Sequence, residues 1–295
     1  MKTKTAMITI AGRPNVGKST LTNYLVGEKI AIVSNKPQTT RNRICGILTR
    51  EDTQFVFVDT PGFHNPRTKL GDYMMNVVKE SVADVDLTIL VVEPVANVGS
   101  QEKALIEQLA AKKCPAVLAI NKIDTVEKET LLAVIATYSQ AASFDEVIPI
   151  SAKTGDGIEA LLDVCGKYAV ESPFLFPEDS TTDQPERQVM AEIIREKILW
   201  NLDREVPHGT AVEITKFSER DNGIIDIDAT IYCEKASHKG IIIGKHGDML
   251  KRISTMARAD CEKFMGTRVY LTTWVKVKEN WRDSDFLVRN FGYSE

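Results

Sequence analysis

The segment Gly12-Arg13-Pro14-Asn15-Val16-Gly17-Lys18-Ser19 constrains the fold of this chain more than any other. It fits the pattern of a glycine, four residues and Gly-Lys-Ser, and it lies between an apolar run over 6–11 and an amphipathic stretch over 19–26. A strand, a glycine-rich turn and a helix in that order make a phosphate-binding loop. The glycines let backbone N–H groups curl around phosphate oxygens, and the helix N-terminus adds partial positive charge. Asn15, Val16, Gly17, Lys18, Ser19 and Thr20 are the expected phosphate contacts. Lys18 places a cation at the β/γ-phosphates, and the Ser19 hydroxyl is a ligand for Mg²⁺. A glycine-rich turn without function is the competing reading; the strand and helix on either side argue against it.

The same pattern recurs through the first 170 residues or so. Apolar runs over 6–11, 55–59, 87–92, 116–121 and 147–150 alternate with amphipathic stretches such as 19–26, 102–111 and 131–141. Continuous apolar strands alternating with helices predict a mostly parallel sheet with helices on both faces. Ligands of such sheets bind at the carboxyl ends of the strands.

The remaining motifs fall at those ends. Asp59-Thr60-Pro61-Gly62 closes the run over 55–59; Asp59 is placed to hold Mg²⁺ through water, and the Gly62 N–H to reach a γ-phosphate. Asn121-Lys122-Ile123-Asp124 closes the run over 116–120 and names the base. Guanine carries N1–H and N2–H₂ side by side, and the Asp124 carboxylate accepts both. Adenine lacks that pair and would leave the carboxylate desolvated and unpaired, a discrimination of about 10⁴ or more. Lys122 packs along the base and braces the loops, and Ser151-Ala152-Lys153 offers the Ala152 N–H to guanine O6. Gln38-Thr39-Thr40-Arg41 lies where a switch loop belongs. A threonine there completes the Mg²⁺ shell only when a γ-phosphate is present; Thr40 is favoured and Thr39 is the alternative. Lys18, Thr40 and Asn15 are the candidate catalytic residues, and GTP, GDP and Mg²⁺ the expected ligands.

The formal net charge of −4 confines any nucleic-acid site to a local patch. Cys45, Cys114, Cys165, Cys233 and Cys261 are dispersed, without zinc-ligand spacing, and read as reduced core thiols of a cytoplasmic protein. No run approaches the roughly 20 apolar residues of a membrane span, and the short N-terminal run does not read as a signal peptide. His64, His208, His238 and His246 show no catalytic spacing, and His64, His208 and His238 are expected at the surface.

Composition changes over 172–188, which holds Pro173, Pro177 and Pro185 and lacks periodicity. It reads as an ordered-to-flexible linker over 173–188, between a first domain over 1–172 and a second over 189–295. The second part reads helix (190–201), strands (211–214 and 225–233), a short helix, a long helix (249–265) and a strand (268–277). That α-β-β-α-α-β order predicts an antiparallel-leaning α+β module. Trp274 and Trp281 are expected to pack rather than stack on bases, and Lys276 with Lys278 reads as a solvated face or an RNA contact.

With GRPNVGKSTL, QTTR, DTPG, NKID, SAKTG, FPED, AEIIREK, GKHG and WVKVK in order, the chain resembles the TrmE/Era branch of P-loop GTPases, and within it the bacterial ribosome-assembly GTPases. The resemblance spans nearly the whole chain, and its carboxyl-terminal motifs are the specific ones. It implies an α/β P-loop G domain followed by an α+β type II KH domain. In KH modules a G-x-x-G loop clamps the backbone of about four single-stranded nucleotides. Here that loop is Gly244-Lys245-His246-Gly247, and Ile243, Gly244, Lys245, His246, Gly247, Lys251 and Arg252 are the implied RNA contacts. Over 235–259 there are six Lys or Arg against one acid, Asp248. Of Ile241, Ile242 and Ile243, most is read as core, with an apolar floor for bases as the other use.

The implied function is a GTP-hydrolysing switch that binds near the 3′ end of small-subunit ribosomal RNA and assists 30S maturation. The chain is expected to be monomeric. Where Ras-like enzymes carry a water-orienting Gln this chain has Phe63, which predicts slow intrinsic hydrolysis. In related GTPases with that change a P-loop Asn helps to hold K⁺, and Asn15 is at the matching position; bracing of the loop is its alternative role. Arg13 as an internal arginine finger is the weakest reading. A second class of function is a membrane-associated signalling GTPase, peripheral on the inner face of the cell membrane, whose second domain grips a protein or anionic lipid.

Overall fold

The computed structural model describes residues 2–63, 66–81 and 85–293; His64, expected at the surface, lies outside the described residues. Two compact units divide the chain. The first comprises Met1–Ala31, Thr40–Asn65 and Met74–Asp183; the second comprises Ile32–Thr39, Pro66–Tyr73 and Gln184–Glu295. The expected first domain is therefore interrupted twice, and the last crossing falls inside the stretch expected as a linker.

In the first unit β1 (Lys4–Ala11) leads through the phosphate loop into α1 (Lys18–Val26), and β2 (Ile44–Arg50) turns tightly into β3 (Thr53–Asp59). Then come α2 (Lys69–Ser81), whose residues up to Tyr73 are counted with the second unit, β4 (Leu87–Val92), α3 (Ser100–Lys112), β5 (Ala116–Ile120), α4 (Lys128–Ala141), β6 (Glu146–Pro149), α5 (Ile158–Gly166) and the short β7 (Val170–Glu171). The sheet order among the described residues is β2-β3-β1-β4-β5-β6, with β7 beside the start of β1. The strands from β3 to β6 in that order pair in parallel, whereas β2 is antiparallel to β3 and β7 to β1. Because the order reverses direction at β1, the phosphate loop sits at the switch point where such sheets bind ligands.

Alternation explains the continuous apolar runs. Leu87, Ile89 and Val91 of β4 face the core formed with α1 and α5, whereas Leu90 and Val92 face the core formed with α3 and α4. Both faces are covered, so the runs are largely apolar, and the polar residues that interrupt them, such as Thr9 and Thr88, are buried as well.

The stretch expected as an ordered-to-flexible linker is pinned along the sheet edge. The Gln54 side chain accepts the Leu175 and Phe176 N–H groups and donates to the Phe176 carbonyl. Ile47 N–H donates to the Thr181 carbonyl at 2.9 Å, and Gly46 bridges Thr182. The segment thus covers the otherwise unpaired edge of β2.

In the second unit α6 (Glu186–Asn201), β8 (Ala211–Glu219), β9 (Ile225–Cys233), α7 (Ala236–Ile243), α8 (Asp248–Met265) and β10 (Val269–Val277) reproduce the expected order; a short α9 (Asp285–Asn290) follows. Ile225, Ile227, Ala229, Ile231 and Cys233 all face the core beneath α6 and α8. The sheet is mixed rather than antiparallel-leaning, because β10 pairs in parallel with β9 while β8 pairs antiparallel. Trp281 is fully buried, donates to the Gly209 carbonyl and packs on Phe291 and Tyr293. Trp274, expected to pack, is 59% exposed on the outer face of β10.

Helix α6 buries three consecutive charged residues, Arg195, Glu196 and Lys197. Lys197 Nζ lies 2.7 Å from Glu196 and 2.5 Å from Asp260 of α8. Glu196 also accepts the Val33 N–H at 2.9 Å, and Arg195 pairs with Glu192 and donates to the Thr39 carbonyl. Removing one partner of such a set leaves an uncompensated buried charge. Lys197→Met should lower unfolding stability by about 3 kcal/mol in denaturant titration, and adding Glu196→Gln should recover part of that loss.

Candidate nucleotide site and RNA-facing loop

Burial and hydrogen bonding shape the phosphate loop before any ligand arrives. Gly17 adopts φ 100, and a Cβ there would lie 2.2 Å from Asn121 Nδ2, so glycine is required on both counts. Lys18, 6% exposed, donates from Nζ to the Gly12 and Arg13 carbonyls at 3.1 and 2.9 Å. Burial pulls its ammonium down to about 8, with Asp59 opposing the shift. Val16 is buried in the core, so only its backbone is offered to a ligand, and Thr20 lies half-buried in the first turn of α1.

Ser19, Thr40 and Asp59 converge. The Ser19 hydroxyl donates to Asp59 Oδ2 at 2.6 Å and lies 2.8 Å from Thr40 Oγ1. Asp59 Oδ1 is buried and accepts no hydrogen bond among the described residues, an orphaned oxygen of the kind a hard cation satisfies. Two hydroxyls and a carboxylate suit Mg²⁺, which holds oxygen ligands and retains several waters. Thr39 is turned away and donates to the Lys36 carbonyl at 2.6 Å, so Thr40 is the residue brought to this cluster. The Gly62 backbone closes on the loop: a Cβ there would meet Pro14 at 2.7 Å.

In the Asn121-Lys122-Ile123-Asp124 motif, Asp124 is exposed and accepts the Ser151 hydroxyl at 2.8 Å on Oδ1. Lys122 Nζ donates to the Asn15 carbonyl at 2.7 Å and to Glu93 at 2.5 Å, which is the bracing role expected of it. Asn121 is a tie rather than a reader: it donates to the Val16 carbonyl at 2.8 Å and accepts the Ala152 N–H at 2.9 Å. The Ala152 N–H, expected to face guanine O6, is thus engaged by Asn121, because a buried amide group takes the nearest acceptor. Lys153 is exposed. Glu93 escaped the sequence reading, although its place directly after β4 is a ligand-facing position on such a sheet. Arg13 is no arginine finger here, since its guanidinium pairs with Glu102 and lies 3.7 Å from Glu93. Phe63 packs its ring on the core that contains Leu90 and Val92, and its N–H donates to the Gly12 carbonyl.

In the second unit the Gly244-Lys245-His246-Gly247 loop joins α7 to α8. Gly244 has φ 73, and a Cβ there would meet the Met249 backbone N at 2.9 Å. His246 also holds a left-handed backbone at φ 54. Lys245, His246, Lys251 and Arg252 are exposed, and among the described residues none of Lys235, Lys239, Lys245, Lys251 and Arg252 enters an ion pair. Ile242 is buried core, Ile243 half-buried and Ile241 exposed, so the apolar floor is reduced to the flanks of that run.

Burial raises the Asp59 carboxyl to about 6, against the opposing pull of Lys18 and the Ser19 hydroxyl. Between roughly pH 4 and 6 the folded, metal-free chain holds a proton there that the unfolded chain has lost, so this group's contribution to stability falls as pH rises. Asp59→Asn should remove that slope and raise stability in EDTA at pH 7.5 by about 2 kcal/mol, while abolishing stabilisation by Mg²⁺ with GTP. Thermal unfolding across pH checks both.

Residues 7–122 match a family model described as a 50S ribosome-binding GTPase, and residues 205–282 match the KH domain model. The chain is 52% identical over 293 residues to the GTPase Era of Ruminiclostridium cellulolyticum, covering 99% of this chain and 98% of that one. It is 52% identical over 290 residues to the GTPase Era of Clostridium kluyveri, covering 98% and 99%. The crystal structure of Era in complex with MgGDPNP and nucleotides 1506–1542 of 16S ribosomal RNA aligns with a TM-score of 0.95 at 35% identity, covering 99% of this chain and all of that one. A GDP·AlF₄⁻-bound variant of Aquifex aeolicus Era aligns equally well, at TM-score 0.95 and 35% identity. With the phosphate loop, the guanine motif and the G-x-x-G loop each in its structural place, and with identity of this extent along the whole length, the chain belongs to the Era family of GTPases.

Proposed function

We propose that this protein is a GTP-hydrolysing switch that binds ribosomal RNA near the 3′ end of the small-subunit rRNA and assists 30S maturation in the cytoplasm. The observation that carries the reading is the presence, on one chain, of a guanine-nucleotide site with its Ser19–Asp59–Thr40 cluster and a KH loop flanked by exposed cations that enter no ion pair among the described residues. Its relative solved with 16S RNA and MgGDPNP supports the choice of RNA. The 50S wording belongs to a model that stops at residue 122, before the KH domain, and therefore does not select the subunit.

In this reading Asn15, Val16, Gly17, Lys18, Ser19, Thr20 and Gly62 hold the phosphates, and Asp124 reads guanine, with Asn121, Lys122, Ser151, Ala152 and Lys153 around it. Ser19, Thr40 and Asp59 hold Mg²⁺, which supplies charge neutralisation at the β- and γ-phosphate oxygens. Ile243, Gly244, Lys245, His246, Gly247, Lys251 and Arg252 meet RNA. Phe63 offers no hydrogen bond to water, so hydrolysis relies on charge stabilisation at the loop; Asn15 and K⁺ are the assigned source.

A 16S 3′-terminal RNA should bind at least about tenfold more tightly with a non-hydrolysable GTP analogue than with GDP, and Lys18→Ala should erase the difference. Equal affinity in both nucleotide states rejects the switch. Lys245→Glu with His246→Asp should abolish RNA binding and leave partitioning onto anionic phosphatidylserine vesicles unchanged; lost partitioning with intact RNA binding favours the membrane reading instead. GTP hydrolysis should run about tenfold or more faster in KCl than in NaCl, and equal rates remove K⁺ from the mechanism.

A further inference from the structure

The cationic side chain in the first variable position of the phosphate loop is not explained by phosphate binding, because its guanidinium is engaged by carboxylates. Arg13 forms an ion pair with Glu102, whose carboxylate is 1% exposed in the first turn of α3. The positive end of that helix favours the charge, but the described residues offer Glu102 no ion-pair cation except Arg13. The same guanidinium lies 3.7 Å from Glu93, and Glu93 takes Lys122 Nζ at 2.5 Å. Lys122 in turn donates to the Asn15 carbonyl at 2.7 Å.

These contacts close a ring. Residues 13 and 15, two apart on the loop, are joined outside the backbone through Arg13, Glu93 and Lys122, and the ring is anchored in the core by Glu102. The C=O and the N–H of a trans peptide point in opposite directions. Holding the Asn15 carbonyl outward therefore aims the Val16 N–H into the loop, toward the phosphates. Asn15 itself sits at φ 67, a left-handed conformation that Asn adopts more readily than other residues with a Cβ.

We propose that Arg13, through Glu102 and Glu93, is a positioning residue for GTP hydrolysis: it fixes the crest of the phosphate loop and the outward Asn15 carbonyl. The proposal rests on the GTPase reading above. It assigns work to Arg13, Glu93 and Glu102 that neither phosphate binding nor base reading requires. Arginine is needed because its planar fork faces two carboxylates at once, whereas lysine offers a single point charge.

The test uses the full chain with Arg13→Ala, Arg13→Lys, Glu102→Gln and the double variant Arg13→Ala/Glu102→Gln. Active sites are titrated with fluorescent GDP, so that kcat counts only folded, nucleotide-competent protein. Arg13→Ala and Glu102→Gln should each lower kcat on the order of tenfold to a hundredfold while KM for GTP moves less than about threefold. The double variant should be no slower than the slower single one, because the pair acts as a unit, and Arg13→Lys should recover part of the rate. Unchanged kcat in both single variants overturns the proposal, and so does a rise in KM that accounts for the whole loss. If the wild-type chain does not hydrolyse GTP, the GTPase reading fails; wild-type hydrolysis with indifferent variants defeats the positioning role alone.

Discussion

Asn121 donates to the Val16 carbonyl and accepts the Ala152 N–H from a position only 2% exposed to solvent. One amide thus spans the loop after β1 and the loop after β6, while its own backbone ends β5. Buried polar groups left unpaired cost far more than a made hydrogen bond returns, so the spacing of those loops has little freedom. The constraint reaches back into the sequence. The room that Asn121 Nδ2 occupies is the room a Cβ at position 17 would need, so the second glycine of the loop answers to a neighbouring side chain as well as to the phosphates.

Against that rigid frame, the charges meant for the ligand are poorly served without it. Lys18 and Asp59 are both buried, and burial dominates the shift of each toward its neutral form. Their mutual attraction offsets part of this, but the orphaned Asp59 oxygen records what remains. A site in this condition trades stability of the empty protein for affinity, because a ligand that binds only the folded state returns the difference through mass action. The loop joining α7 to α8 takes the opposite course: Lys245, Lys251 and Arg252 stay in solvent and pay little desolvation, so any anion they met would be held by electrostatics that salt screens.

The two units differ in how openly the sequence displays them. Runs such as Leu87–Val92 announce a strand covered on both faces, and Ile225–Cys233 announces one covered on a single face. The motifs were legible because each is tied to a strand end, where backbone chemistry leaves few choices. β2 was not: Ile44–Arg50 includes Gly46 and ends in polar residues, and it becomes a strand through pairing with β3 and with Thr182. α2 is likewise broken in pattern by Gly71. The proline-bearing stretch after residue 172 looks like a tether, since hydrogen bonds to Gln54 and Ile47 are long-range and leave no local trace. Trp274 and Trp281, seven residues apart, look alike in sequence. Only the latter finds an acceptor and aromatic neighbours, because the chain after it folds back to supply Phe291 and Tyr293. The ring through Arg13, Glu93 and Glu102 was equally hidden, its members coming from separate loops and helices.

The expectation of slow intrinsic hydrolysis rests on Phe63, and packing is what holds that residue. Its N–H is tied to the Gly12 carbonyl and its ring joins the core containing Leu90 and Val92, so the Phe63 side chain is committed to packing and offers no hydrogen bond to an attacking water. GTPases that lack an effective catalytic supplement hydrolyse at rates on the order of 10⁻⁴ to 10⁻³ per second. The lifetime of such a bound state is minutes to hours, far longer than electrostatically steered association of a basic loop with RNA. A glutamine at this position would gain a water contact and shorten that lifetime. An apolar ring gains core contacts instead.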